Sequence, residues 1–249
     1  MIAEFDGKAV LVTGAASGLG RASAIAFAAA GGRVAVVDRQ QEGLVATMAE
    51  LTGAGHVSIC ADLEDATTPS SCIDQAVAAL GGLDALCNIA GICRFDHAGA
   101  VDAATWDRIM AVNARAPFLL MQAAMPHLIE RQGAIVNVAS AAAVMGQAYL
   151  SHYSASKGAL IAMTRSLAME YIKQPVRINA VAPGGIMTGM AGTMIPPADA
   201  DPDLFARFMP RRPVMMPEEL TDTILMLAGP RGTAYHGAVL NIDRGMTAG

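Results

Sequence analysis

The stretch Lys8–Gly20, KAVLVTGAASGLG, decides how this chain is read. Ala9–Val12 is a short apolar run rich in valine, the composition of a strand buried on both faces of a parallel sheet. Thr13 and Gly14 end it, Gly18 and Gly20 follow, and the Ala-rich run Arg21–Ala30 predicts a helix. Such a strand, glycine turn and helix leave several backbone N–H groups unpaired at the positive end of the helix dipole. A pyrophosphate fits that end if no Cβ blocks its approach, which is what the glycines provide. The spacing, Gly14-x-x-x-Gly18-x-Gly20, departs from the usual GxGxxG dinucleotide pattern, and a glycine-rich turn alone can be only a tight connection. Asp38 strengthens the case. It ends a second predicted strand, Arg33–Val37, and an acidic residue roughly 20 residues past the turn accepts hydrogen bonds from an adenosine ribose diol. Its plainer role would be to cap the next helix.

Composition narrows the classes. Of 249 residues, 53% are hydrophobic and 16% charged, too apolar for disorder and enough for a large core. The formal charge of −5, with no basic tail or stripe, speaks against a nucleic-acid partner. Met1–Lys8 is polar and charged, with no signal-peptide pattern behind it. The longest uncharged run, Gly133–Ser156, carries Asn137, Ser140, Gln147 and several further polar residues and is no membrane span. Cys60, Cys72, Cys87 and Cys93 form no CxxC pair and have no histidine at ligand spacing, so no metal site is expected. Reduced thiols in a cytoplasmic protein are the expected state. The apolar fraction also suggests surface buried between subunits.

Strand and helix signals alternate along the chain. Helices are predicted over Gln41–Leu51, Ser70–Leu80, Ala103–Glu130, Ser151–Tyr171 and Pro217–Ala228. Pro117 and Pro126 should bend or break the third of these. Strands are predicted over His56–Cys60, Asp84–Cys87, Ala134–Val138, Val176–Val181 and Ala238–Ile242. The alternation predicts one α/β domain over residues 1–249, a doubly wound parallel sheet with helices on both faces. Thr188–Pro213 is the long irregular stretch, with five prolines beside Met190, Met194, Phe205, Phe208 and Met209. It suits a lid that orders over a ligand, or else a subunit contact. In such sheets ligands bind at the carboxyl ends of the strands, near the point where strand order reverses. Thr13-Gly14, Asp38, Asp62, Asn88–Gly91, Ser140 and Pro183-Gly184 should therefore line one crevice.

Tyr153 and Lys157 are four apart on a predicted helix and project from one face. A tyrosine of ordinary pKa near 10 is a poor base at neutral pH. An ammonium within about 5 Å favours the phenolate, and the pair could then exchange a proton near neutrality. Ser140, at the preceding strand's end, could hydrogen-bond the same substrate oxygen. An exposed Tyr and Lys at helical spacing is the bland alternative.

Taken together, Thr13-Gly14-x-x-x-Gly18-x-Gly20, Asp38, Asp62-Leu63, Asn88-x-Ala90-Gly91, Asn113, Ser140, Tyr153-x-x-x-Lys157 and Pro183-Gly184-x-x-x-Thr188 resemble the short-chain dehydrogenase/reductase family, in its compact form and over essentially the whole chain. The resemblance implies a Rossmann-type sheet of about seven strands and hydride transfer between a nicotinamide and an alcohol carbon or ketone. It makes Tyr153 the general acid/base, with Ser140 holding the substrate oxygen. Lys157 would bind the nicotinamide ribose and tune Tyr153, and Asn113 would hold a water in a proton relay from Lys157 to solvent. Without the family, Asn113 reads as a polar residue bonding within a kinked helix. Cofactor contacts are implied at Gly14, Ser17, Gly18, Leu19, Gly20, Asp38, Arg39, Asp62, Leu63, Asn88, Ile89, Ala90, Gly91, Tyr153, Lys157, Pro183, Gly184, Ile186 and Thr188. Two departures stand out: Ile89 replaces the family's second asparagine, and Arg244 stands where its last loop often has glycine.

The cofactor follows from charge. A 2′-phosphate would meet the Asp38 carboxylate, a repulsion on the order of several kcal/mol in a partly dry crevice. Arg39 offsets it in part, and Ser17 is neutral where NADP users often carry a cation, so NAD rather than NADP is expected. The substrate pocket should be walled by Ser140, Ala142, Val144, Gln147, Leu150, Tyr153, Gly185, Met190 and Met194, a mostly apolar lining suited to a hydrophobic or cyclic secondary alcohol. His97 and Gln147 could add polar contacts. His152 points about 100° away from Tyr153 and reads as a surface or interface residue. An NADPH-dependent 3-oxoacyl-(carrier protein or CoA) reductase is the alternative, with Arg207, Arg211 and Arg212 as its docking patch. A non-catalytic nucleotide sensor on the same fold would predict damage among Asn113, Ser140, Tyr153 and Lys157, and all four are present. A homotetramer is the family expectation.

Overall fold

The structure, a computed structural model, describes residues 4–189 and 195–248. Its seven strands are β1 (Ala9–Thr13), β2 (Arg33–Asp38), β3 (Val57–Cys60), β4 (Ala85–Asn88), β5 (Ala134–Val138), β6 (Arg177–Pro183) and β7 (Val239–Ile242). They form one sheet in the order β3-β2-β1-β4-β5-β6-β7, and every neighbouring pair is parallel. Strand order reverses between β1 and β4, where the crevice was expected. The helices are α1 (Gly18–Ala29), α2 (Gln41–Glu50), α3 (Thr68–Leu80), α4 (Ala103–Met110), α5 (Ala116–Arg131) and α6 (Ser151–Glu170), with a short helix at Pro202–Ala206 and a C-terminal one at Glu218–Ala228.

All five residues of β1 are buried. Their alternation serves two cores. Val10 and Val12 join Phe27, Val36 and Ile224 on one face of the sheet. Leu11 joins Ile73, Leu120, Ile135 and Leu160 on the other.

The predicted helix Ala103–Glu130 is interrupted once, by a π-helical turn at Ala111–Arg115. Pro117 accounts for it, because a proline cannot donate to the carbonyl four residues back, here Asn113, and its ring crowds that carbonyl. Pro126 breaks nothing. Both it and Gln122, whose carbonyl it orphans, face solvent, where an unpaired carbonyl costs little.

At the far edge, Arg177 caps the C-terminal helix from the side. Its guanidinium donates to the carbonyls of Leu227, Ala228, Gly229 and Gly232 at 2.6–3.2 Å. Charged hydrogen bonds of this kind contribute most when half-buried, so Arg177→Ala should cost about 2 kcal/mol. Calorimetry would then show a melting temperature lower by about 5 °C.

Candidate active site

The glycine turn is shaped by what presses on it. A Cβ on Gly20 would lie 2.1 Å from the Gly14 carbonyl oxygen, and one on Gly14, whose φ is +71°, would lie 2.9 Å from the Ala90 Cα. Neither position tolerates a side chain. The Thr13 hydroxyl accepts from the Ile89 and Ala90 N–H groups, both at 3.0 Å, and so holds the β4 loop beside the turn. That main-chain grip serves where Ile89 lacks a polar side chain. No side chain caps the first N–H groups of α1, and its first turn carries no acid. Asp38 does not cap a helix. One carboxylate oxygen accepts from Ala16 N at 3.1 Å and the other from Gln40 N at 3.0 Å, which fixes the carboxylate at the rim of the turn.

These groups open on a cavity of about 1110 Å³. Every residue expected to contact the cofactor lines it except Asn88. The Asn88 side chain is buried, donating to Asn137 Oδ1 at 2.8 Å, and Asn137 donates to Thr164. It ties β4 to β5 rather than reaching the crevice. A floor without Cβ atoms, an uncapped helix N-terminus and a carboxylate at the rim fit the pyrophosphate and adenosine ribose of a dinucleotide.

Tyr153 and Lys157 share the inner face of α6, and both line the cavity with Ser140. Lys157 is buried, donates from Nζ to Val138 O at 2.8 Å, and is brought down to about 8 by that burial. Tyr153 moves the other way. Burial pushes its phenol above the usual range, the nearby Cys93 thiol adds to this, and a hydrogen bond to Ser140 opposes it. The lowering expected from Lys157 is not among these influences. The Ser140 hydroxyl also accepts from Ala142 N at 3.1 Å, in the short 3₁₀ turn Ala141–Ala143.

Asn113 sits in the π turn, fully buried and off the cavity wall. Its amide donates to Ile92 O and Ser156 Oγ, and its oxygen accepts from Ile92 N. The side chain is therefore occupied in binding the β4 loop to α6, which matches the plainer reading of a polar residue bonding within a kinked helix.

At the substrate end, Gln147, Leu150 and Gly185 line the cavity as expected. Ala142 is buried behind the wall and Val144 points to solvent, because the 3₁₀ turn rotates both away. Met190 and Met194 lie outside the described residues. The wall is aromatic instead. The Phe95 ring centroid lies 5.0 Å from that of Phe205 and 6.3 Å from that of Phe208, and the latter two are 4.8 Å apart. Cys93, Met209, Val214 and Met246 extend it, with Arg212 also on the wall. Phe205 and Phe208 were visible in the 188–213 stretch, which is partly helical at Pro202–Ala206. Phe95 was missed: Cys93 and Phe95 line the cavity, while Arg94 and Asp96 between and after them do not.

His152 is not a surface residue. It is buried, with Nε2 3.4 Å from Asp96 Oδ2, and Asp96 pairs in turn with Arg94 at 2.8 Å. Burial lowers the His152 pKa, and Asp96 opposes this. On the facing side of the segment, His97 meets Asp199 at 2.9 Å, and the Tyr149 hydroxyl accepts from Asp201 N at 2.8 Å. Two contacts therefore tie the 195–201 segment to the body.

Among the described residues no group of three or more His, Cys, Asp or Glu could hold a metal ion. None of the described helices is long and apolar enough to cross a membrane.

Comparison with known proteins gives a consistent picture. A family model described as short chain dehydrogenase matches residues 8–198. The 2-(S)-hydroxypropyl-CoM dehydrogenase 3 of Xanthobacter autotrophicus is 35% identical over 248 residues, covering 97% of each chain. A 3-ketoacyl-(acyl-carrier-protein) reductase from Brucella melitensis, solved with NADH, superposes with a TM-score of 0.88 at 29% identity, over 97% of this chain and 99% of that one. A short chain dehydrogenase from Burkholderia cenocepacia, solved with NADP, gives a TM-score of 0.88 at 33% identity, over 98% and 99%.

Proposed function

Because this chain belongs to the short-chain dehydrogenase family and is an oxidoreductase of that family, we propose that it is an NAD-dependent dehydrogenase of hydrophobic or cyclic secondary alcohols, working reversibly on the matching ketones. The observation that carries it is the meeting of Ser140, Tyr153 and Lys157 on one wall of a cavity whose far end is apolar and aromatic. A bound nicotinamide supplies the hydride acceptor for the alcohol carbon. Tyr153 takes the hydroxyl proton in oxidation and returns it in reduction. Ser140 orients the substrate oxygen by hydrogen bonding. Lys157 binds the nicotinamide ribose and favours the phenolate by its charge. Ile186 and Thr188 hold the carboxamide, through backbone and side chain respectively, and Asp62 and Leu63 hold the adenine. Asn113 positions the β4 loop through its side chain and holds a water in a proton relay from Lys157 to solvent. Residues 188–213 act as the lid.

The proton bookkeeping sets the pH dependence. Oxidation needs a base, so its kcat/KM rises with pH. Reduction needs the proton in place, so its kcat/KM falls. Lys157 is brought down to about 8 by its burial, so above that pH it loses the charge that favours the phenolate and the rise in oxidation should flatten there. Initial rates measured in both directions from pH 6 upward check this, and profiles of equal sign would overturn the assignment.

A second reading, an NADPH-dependent 3-oxoacyl thioester reductase, is favoured by Arg212 on the cavity wall and by Arg39 beside Asp38. Rates on a panel of cyclic, aromatic and linear alcohols and ketones, with 3-oxoacyl thioesters included and each of NAD(H) and NADP(H), separate the two. Turnover confined to thioesters with NADPH selects the second.

Free Cys60, Cys72, Cys87 and Cys93 fit a reducing, cytoplasmic setting. The part-exposed edge strand β7, with exposed Trp106 and Phe118, fits a homotetramer. Light scattering should then return four times the 25.6 kDa chain mass.

A further inference from the structure

Arg244 adopts φ +53°, a left-handed conformation that bulky side chains disfavour. Strain retained at a residue needs a compensating role elsewhere in the structure. Its side chain shows one. The guanidinium donates to the Pro213 carbonyl at 2.6 Å and pairs with Glu219 in the first turn of the C-terminal helix. Glu219 in turn accepts from Met216 N at 2.7 Å. Arg244 thus grips both ends of the short segment Pro213–Met216, directly at Pro213 and through Glu219 at Met216.

That segment is the leg on which the chain returns from the proposed lid. It pairs with the leg that leaves β6. Met215 N donates to Gly185 O at 3.1 Å, Met187 N donates to Met215 O at 2.8 Å, and Ile186 and Met215 form a parallel bridge. Gly185, Ile186, Pro213 and Val214 all line the cavity, and a Cβ on Gly185 would be 3.7 Å from Val214. Arg244 itself is not on the cavity wall. The loop bearing it is braced independently: Asp243 accepts from Gly245 N at 2.9 Å and Thr247 N at 3.0 Å, and its Cα packs 3.0 Å from where a Gly184 Cβ would be.

We propose that Arg244 is a positioning residue that clamps the returning leg of the lid, holding the paired legs Gly185–Met187 and Pro213–Met216 as the wall against which substrate is placed. A surface ion pair with no further role is the competing account, since both partners are partly exposed. The two differ in where a loss appears. An ornamental pair affects neither KM nor kcat. A clamp affects substrate binding while leaving the proton-transfer groups in place.

The inference rests on the reading of this cavity end as the substrate end. The test variants are Arg244→Gly and Arg244→Asn, because both residues accept positive φ and neither keeps the clamp. Asn adds little of the chain entropy that Gly introduces. Each should raise the substrate KM about fivefold, with kcat changed less than about twofold. The melting temperature should stay near wild type, and NADH affinity should fall by less than the substrate KM rises, since Ile186 in the paired leg also faces the cofactor. Arg244→Lys retains a donor but not the fork, and should fall between. Glu219→Gln combined with Arg244→Gly should add nothing beyond Arg244→Gly alone if the two act as one device. An unchanged KM in both test variants overturns the proposal, as does a loss of kcat that matches a fall in melting temperature. Tyr153→Phe run in the same assay keeps the two levels apart. If that variant stays active, the site assignment fails; if it is inactive while KM in the Arg244 variants is unmoved, only the clamp fails.

Discussion

Tyr153→Phe is expected to lower kcat/KM in both directions by about 10³-fold while NADH binds as before. The substitution keeps the ring, which packs beside Phe95 and Leu150, and removes only the hydroxyl. Among the described residues around Tyr153, none can replace that group. Lys157 donates to Val138 O and is held by the body of α6. Cys93 is a thiol that burial pushes up to about 12, so it holds its proton at working pH. The aliphatic hydroxyl of Ser140 is a far weaker acid than a phenol and cannot stand in as the base. A variant that kept more than about a tenth of wild-type kcat/KM would sink the assignment of Tyr153. The NADH titration matters because Tyr153 also lines the part of the cavity where a nicotinamide ribose would lie. Unchanged binding beside lost turnover places the defect in proton transfer.

The opposed shifts at the centre explain why that loss should be so large. Burial holds the Tyr153 phenol above its ordinary range and Lys157 below its own. Neither group therefore charges cheaply alone, and the crevice favours neutral forms. A positive charge placed beside Tyr153 would favour the phenolate. The sequence suggested that Lys157 alone tunes Tyr153. It could not show the burial that competes with it, because burial is set by Phe95, Cys93 and Phe208 arriving from other segments.

The same distinction governs what else was legible. The glycine turn was readable because its constraints are local. A Cβ at Gly20 collides with Gly14, six residues away. Tyr153 and Lys157 were readable because helical periodicity alone puts them on one face. The strand ends were readable because a parallel sheet aligns them. The aromatic wall was not, since Phe95, Phe205 and Phe208 meet only through tertiary packing. His152 shows the limit of a helical wheel. It does point away from Tyr153, but the segment carrying Asp96 covers that side too. Asn88 was placed in the crevice as a strand end, whereas its amide is committed to Asn137. Position along the chain identifies a residue's neighbourhood, and only packing identifies what its side chain faces.

The cofactor preference gives the other large effect. In wild type, kcat/KM with NAD should exceed that with NADP, and Asp38→Ala should reverse the order. Both Asp38 oxygens accept from backbone, at Ala16 and Gln40, so the carboxylate is fixed at the rim while each oxygen keeps a lone-pair direction for a ribose diol. A 2′-phosphate brought to about 4 Å would meet a repulsion of roughly 4 kcal/mol per charge pair at a surface-like dielectric. Arg39 is exposed beside it on the cavity wall and reduces that cost only if its side chain turns inward. Removing the Asp38 carboxylate deletes the diol acceptors and frees Arg39 to pair with phosphate. NAD use should fall by about 10²-fold and NADP use should rise, the gain shrinking as salt screens the new pair. Steady-state rates with both cofactors, in wild type and variant at two ionic strengths, decide it. If wild type already favours NADP, Arg39 outweighs Asp38 and the reductase reading gains. If the variant keeps the wild-type ratio, the carboxylate does not set the preference, and the discrimination lies elsewhere along the rim, at Ser17 or Arg39.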